Sequence, residues 1–223
     1  MDIRGVDTKF VENRKGIIAE LLHYVLPAAA VNQAANSFES RFGLCEKPVR
    51  VRFRLLDHKQ PLHGLTDIMI PVEQLALYKP LVSKVFITEN EINGLCFPNA
   101  VESMVIFGLG YGVDTLKTVD WLNEKEIHYW GDIDTHGFAI LDHVRSFLPQ
   151  TKSFLMNEET LLNTRDMWVV EDKPFSGCLS RLTQDERKLF LSLQENKWGD
   201  RVRLEQERIS YGIVQKEVTM AIL

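Results

Sequence analysis

The stretch HYWGDIDTHGFAIL, residues 128–141, passes from a run with the character of a strand into one with the character of a helix, and it sets Asp132 and Asp134 at the junction. Side chains alternate along a strand, so both carboxylates leave one side while Ile133 faces the other. Two like charges that close repel unless a cation, a proton or a cluster of donors holds them. The pair asks for a partner, and a metal ion answers best. Gly131 and Gly137 flank it and would let a phosphate or the water of an ion approach the backbone. A plainer use stays open: aspartates at strand ends act as turn residues and helix N-caps, and Asp134 could cap a helix starting near Gly137.

Working outward, the same βα rhythm runs from residue 84 onward. KVFITEN, MVIFGLG, EIHYWGDID and TKSFLM are apolar runs of strand length, with the helical stretches VDTLKTVDWLNEK and HGFAILDHVRSFLP between the later ones. Apolar strands alternating with helices indicate an α/β fold, a parallel sheet with helices on both faces and its ligand site at the carboxyl ends of the strands. WVVEDKP is a candidate fifth strand. LTQDERKLFLSLQENKWG reads as a helix with Thr183 at its N-cap and Glu186 completing a capping box. ESMVIFGLGYGV carries G-x-G-x-G, but the third glycine of a dinucleotide fingerprint would fall at Val113, so it reads as a tight strand-to-helix turn.

The first 80 residues have a different texture. VENRKGIIAELLHYVLP spaces Ile17, Leu21, Leu22 and Val25 as a helix that Pro27 ends, and AAAVNQAANSFESRFGL reads as a second helix closed near Gly43. VRVRFRLL alternates strictly, Arg50, Arg52 and Arg54 on one face against Val49, Val51 and Phe53 on the other. TDIMIPV is its partner across the turn region DHKQPLHG. The expected organisation is therefore a helical segment and small β unit over residues 1–80, then an α/β domain with a C-terminal helical extension over 81–223.

Composition bounds the function. With 223 residues, 45% hydrophobic and 26% charged, the chain can build one substantial core. Cys45, Cys96 and Cys178 show no C-x-x-C spacing, which argues against a disulfide framework or a thiolate zinc site and fits a reducing cytoplasm. The N-terminus is charged from its second residue, and no apolar run approaches the roughly 18 residues a membrane span needs. A net charge of −5 does not announce nucleic-acid binding, so any DNA contact rests on local basic patches. The arginine stripe is either such a patch, its charges roughly 6.5 to 7 Å apart along the strand and close to the phosphate spacing of one DNA strand, or a solvated face paired with acids.

Glu89 closes the first strand of the α/β part, and Asp132 and Asp134 close the third. Parallel strands point one way, so the three carboxylates can converge on one edge of the sheet, an all-oxygen ligand set suited to Mg²⁺ or Mn²⁺. An apolar strand ending in Glu, a second followed by glycines and a third ending in D-x-D before a helix together resemble the Toprim domain of topoisomerases, primases and related nucleases. ITENEINGLCFP, GDIDTHGFAIL and RLEQERI resemble more narrowly the C-terminal domain of the D component of the Wadjet plasmid-defence system, a relative of topoisomerase VI. GVDTKFVENRKGIIAELL resembles the segment that joins that family's two domains.

The resemblance implies a Toprim-like, Rossmann-like sheet and a metal-dependent endonuclease acting on duplex DNA. Asp132 and Asp134 would hold Mg²⁺ or Mn²⁺, and Glu89 would serve as general acid/base or as a further ligand. Glu91, Glu205 and Glu207 would lie just outside, and Arg203 would join Arg50, Arg52 and Arg54 on DNA. It also implies a homodimer working with SMC-type subunits of the defence complex. Full-length relatives carry a further N-terminal DNA-binding region, so the chain reads as a fragment or a short paralogue. His136, where relatives have a different pattern, reads as an exposed polar residue rather than a catalytic imidazole. Two other readings stand beside this one: a DNA-binding or scaffold subunit without catalysis, and a haloacid-dehalogenase-like phosphatase built on DIDT with Glu171 and Asp172 as its later acidic pair.

Overall fold

The computed structural model describes residues 4–59 and 62–221, and the chain divides into two compact units, Met1–Pro48 and Val49–Leu223. The first unit holds α1 (Thr8–Glu12), α2 (Lys15–Val25) and α3 (Phe38–Arg41). Asp7 caps α1 and Ser37 caps α3, each accepting from a backbone N–H three residues on. The stripe on α2 is helical as expected, but Ile17, Leu21 and Val25 are exposed. The continuous helix expected over AAAVNQAANSFESRFGL is not formed. Only a 3₁₀ turn, Ala28–Ala30, and the short α3 occur there, because the Asn32 side chain takes the amide of Ala34 and Ser37 starts a new cap.

In the second unit, six strands form one mixed sheet: β1 (Arg50–Leu55), β2 (Asp67–Pro71), β3 (Lys84–Thr88), β4 (Ser103–Phe107), β5 (Glu126–Trp130) and β6 (Lys152–Ser153), in the order β2-β1-β4-β3-β5-β6. The strands β4, β3, β5 and β6 run parallel, while β1 pairs antiparallel with both β2 and β4. The fold is thus Rossmann-like α/β, with an antiparallel edge on a parallel core. The small β unit is not separate from the sheet, and the boundary expected at residues 80/81 runs through the sheet. The reason is that Val51, Phe53 and Leu55 bury the inner face of β1 in the same core. Residues 60 and 61 of the expected turn DHKQPLHG lie outside the described residues.

Helices α4 (Val72–Leu77), α5 (Glu91–Leu95), α6 (Thr135–Val144), α7 (Glu158–Asn163), α8 (Gln184–Gln194) and α9 (Tyr211–Ala221) complete this unit. β3, β4 and β5 are buried along nearly every residue, as strands covered on both faces must be. α6 contributes Phe138, Leu141 and Val144 to the core, and Phe138 meets Phe190 of α8 edge-on at 6.3 Å between ring centres. α8 begins with the expected capping box between Thr183 and Glu186. Two expectations are corrected. VDTLKTVDWLNEK forms 3₁₀ turns, Gly110–Thr118 and Asp120–Glu124, rather than an α-helix. The strand in WVVEDKP, β7 (Val169–Val170), pairs with β8 (Val202–Arg203) in a separate two-stranded ribbon outside the main sheet. G-x-G-x-G is the turn expected, with Gly108 and Gly110 at φ of 77° and 46°.

Connectivity places a crevice. β3 leads away to β4 on one side and β5 leads away to β6 on the other, although β3 and β5 are hydrogen-bonded neighbours. At such a switch point the loops diverge and leave an opening at the carboxyl ends of the two strands.

Candidate active site

Glu89 leaves the end of β3, and Asp132 and Asp134 follow β5, so the switch point brings together the three carboxylates that the sequence spread over two strands. They line a pocket of about 450 Å³ with Tyr111, His136, Glu171, Lys173 and Arg203. β5 stops at Trp130, but the extended path continues: Ile133 forms a bridge with Leu204 and is fully buried. That bridge keeps the alternation and leaves the two aspartates on the pocket side.

Each aspartate has one oxygen held by a backbone amide. Asp132 Oδ1 accepts from the N–H of Gln206 at 2.8 Å, and Asp134 Oδ1 accepts from that of Gly137 at 2.7 Å, so Asp134 also caps α6. Both remaining oxygens face one guanidinium. Arg203 Nη2 lies 2.6 Å from Asp132 Oδ2, and Arg203 Nε lies 3.2 Å from Asp134 Oδ2. The arginine expected on DNA is thus ion-paired to the aspartates. Glu171, from the ribbon, binds the start of α6 through the amide and hydroxyl of Thr135, at 3.3 and 2.6 Å.

Glu89 accepts the hydroxyl of Tyr129, a fully buried ring on β5. Burial pushes the Glu89 carboxyl up to about 7; the Tyr129 hydrogen bond works against this, while Asp132 and Asp134 add to it. Burial likewise raises Asp134 to about 6, opposed by the Gly137 amide and helped by Glu171 and Asp132. The negative charge of the pocket is therefore only partly compensated.

Gln206 ties the strand ends together. Its amide N–H holds Asp132, and its side-chain oxygen accepts from the Thr88 hydroxyl and from Asn93 Nδ2. Glu207 accepts from Asn90, and Glu205 lies 3.8 Å from Arg203 and 2.8 Å from Arg208. Glu205 and Glu207 line an adjoining depression with Glu89, Asp132 and Arg203, and Glu205 also forms ion pairs. His136 is half-buried. Its Nε2 meets the Lys173 carbonyl at 2.7 Å and must carry the proton there, which leaves Nδ1 toward the Tyr111 hydroxyl.

The arginine stripe has other work. Arg54 donates to the carbonyls of Gly94 and Phe97 at 3.1 and 3.2 Å, and to that of Leu95, which satisfies the open end of α5. Arg52 pairs with Asp67 at 2.6 Å and with Glu91. Glu91 therefore sits on the stripe rather than in the pocket. Arg50 is exposed, and among the described residues it has no ion-pair partner.

Sequence reading missed Tyr129, Gln206 and Tyr111. Tyr129 lies on a strand face that apolar patterning marks only as core, and the partners of the other two are set by loops.

The donors suit a hard divalent cation: all are oxygens, two are raised by burial and neighbouring negative charge, and Gly131 leaves room where a Cβ would lie 2.5 Å from Glu89 Oε1. Among the described residues, no three His, Cys, Asp or Glu side chains are drawn close enough to hold an ion. Arg203 lies against the oxygens such an ion would take.

A parallel sheet with acidic residues at its switch point defines a Rossmann-like α/β protein with a carboxylate-lined strand-end site. The family model described as Wadjet protein JetD, C-terminal, matches residues 43–218, and the chain belongs to that family. Membership makes it a component of a Wadjet defence system that works alongside the other subunits of that system. No curated protein matches the chain. Among the described residues, no helix is long and apolar enough to cross a membrane.

Proposed function

We propose that the chain is a Toprim-like, metal-dependent endonuclease that cuts duplex or plasmid DNA in the cytoplasm, as a homodimer working with SMC-type subunits. The observation that carries this reading is the meeting of Glu89 with Asp132 and Asp134 at one switch-point pocket, in a chain of the JetD C-terminal family. Asp132 and Asp134, with Glu89, would hold Mg²⁺ or Mn²⁺. Such an ion neutralises charge building on phosphate oxygens and makes water a better nucleophile. Glu89, held near neutrality by its burial, exchanges a proton with the attacking or leaving oxygen. Tyr129 keeps that carboxylate aimed into the pocket, and Gln206 keeps Asp132 in register with it.

A second reading is a DNA-binding or scaffold subunit without catalysis. It is favoured by Arg203, which is already ion-paired to both aspartates. The phosphatase reading has no comparable support, since Glu171 commits both oxygens to Thr135.

One measurement separates the first two: Mn²⁺-dependent nicking of plasmid by the chain assembled with the other subunits of its complex. Glu89→Gln should leave folding and duplex affinity intact and lower the nicking rate by roughly 10² to 10⁴. Nicking at the unsubstituted rate in Glu89→Gln, or none at all in the unsubstituted complex, overturns the nuclease reading.

A further inference from the structure

Each aspartate of the pair keeps a single oxygen beyond its backbone hydrogen bond, and in both cases that oxygen is the one on Arg203. Those two oxygens are the ones free of backbone hydrogen bonds, so a cation that binds across the pair through them meets Arg203. We propose that the Arg203 guanidinium and a divalent cation are alternative occupants of Asp132 and Asp134, so that Arg203 sets how tightly the site holds metal. The inference rests on the nuclease reading for the presence of a metal, and on nothing else in it.

Three features favour exchange over a permanent pair. First, the fit of the guanidinium is incomplete: Arg203 Nε is buried but makes no well-formed hydrogen bond, although it lies 3.2 Å from Asp134. A desolvated N–H without a partner costs free energy that the Coulomb attraction must offset, whereas a spherical ion has no such directional demand. Second, a place to go exists. Glu205 Oε1 is 3.8 Å from Arg203 Nη2, and the side chains of both residues are partly exposed, at 28% and 34%. Third, the two cations cannot share the pocket cheaply, because like charges at contact distance in a partly buried site repel strongly. The same guanidinium keeps the aspartates from repelling each other when no ion is bound. It therefore acts as a stand-in charge that preserves the site.

The test uses Mn²⁺ alone, without DNA, and calorimetry on the whole chain. Arg203→Met removes the charge and keeps the apolar stem, and should bind Mn²⁺ roughly tenfold or more tightly than the unsubstituted protein. Arg203→Lys, which keeps the charge, should stay near the unsubstituted affinity. Asp132→Asn should abolish binding. If Arg203→Met binds Mn²⁺ no more tightly while Asp132→Asn still abolishes binding, the competition is wrong and the metal site stands. If neither the unsubstituted chain nor Arg203→Met binds Mn²⁺, or if Asp132→Asn binds it unchanged, both fall. Should Arg203→Met fail to fold, the unsubstituted protein gives the answer by NMR. The Arg203 Nε–Hε signal, identified by its absence in Arg203→Lys, should move to the position of a solvated arginine as Mg²⁺ saturates. A signal that stays in place at saturation overturns the proposal.

Discussion

Tyr129 donates its phenol hydrogen to Oε1 of Glu89, which directly follows β3, the parallel neighbour of β5 whose pairing aligns Tyr129 with Ile87, two residues before the glutamate. The bond favours the ionised carboxylate, against the burial that disfavours it. Tyr129→Phe should therefore raise the Glu89 pKa further above about 7, by up to about one unit for a lost hydrogen bond. Carbon-13 NMR of the glutamate carboxyl reads this directly. A fall in that pKa would mean that the phenol does not stabilise the charge.

The part of the stability that Glu89 contributes should fall as pH rises from 4.5 to about 7. Glu89 has a folded pKa of about 7 against 4.5 for the free group, so between those values the folded protein holds more protons than the unfolded chain. The contribution is fully present below pH 4.5 and is lost as pH passes 7. Its size is on the order of 3 kcal/mol. Asp134 acts in the same direction between 3.8 and about 6. Urea unfolding across this range should show the decline, and Glu89→Gln should flatten the part of it above pH 6. An equal slope in that variant would show that Glu89 titrates normally.

Gly137 touches the backbone that carries the aspartates. A Cβ there would lie 2.1 Å from the carbonyl oxygen of Asp132, a backbone atom that cannot rotate away. Gly137→Ala should cost roughly 3 kcal/mol or more. Gly112→Ala, which meets nothing within 4 Å, should stay within about 0.5 kcal/mol. Denaturant unfolding of the pair decides the point, and equal stabilities would contradict the tight approach.

Arg54 and Arg50 lie on one face of β1 but have different surroundings. Arg54→Ala strips donors from three carbonyls at the end of α5 and should destabilise the chain by roughly 1 to 3 kcal/mol. Arg50→Ala should change stability by less than about 0.5 kcal/mol. If Arg50 meets phosphate, its loss should lower duplex affinity uniformly across sequences and flatten the salt dependence. Matching stability losses in the two variants would mean that Arg54 does not serve α5.

What the sequence by itself determined is local in origin. Uninterrupted apolar runs marked β3, β4 and β5 as strands covered on both faces, and the helical stretch HGFAILDHVRSFLP marked α6. The direction of a parallel sheet then brought Glu89 to the same edge as Asp132 and Asp134, since strands that point one way end together. Only the tertiary structure decided what those carboxylates touch. Arg203 and Gln206 reach Asp132 from 71 and 74 residues away, and Tyr129 reaches Glu89 across a strand pair. The same holds for Arg52 and Arg54, whose alternation identified a strand face but not Glu91 and α5 lying over it. Periodicity reports whether a residue faces core or solvent, because burial follows from position along one element. A charge finds its partner through the closure of distant loops, and no local repeat in the chain encodes that.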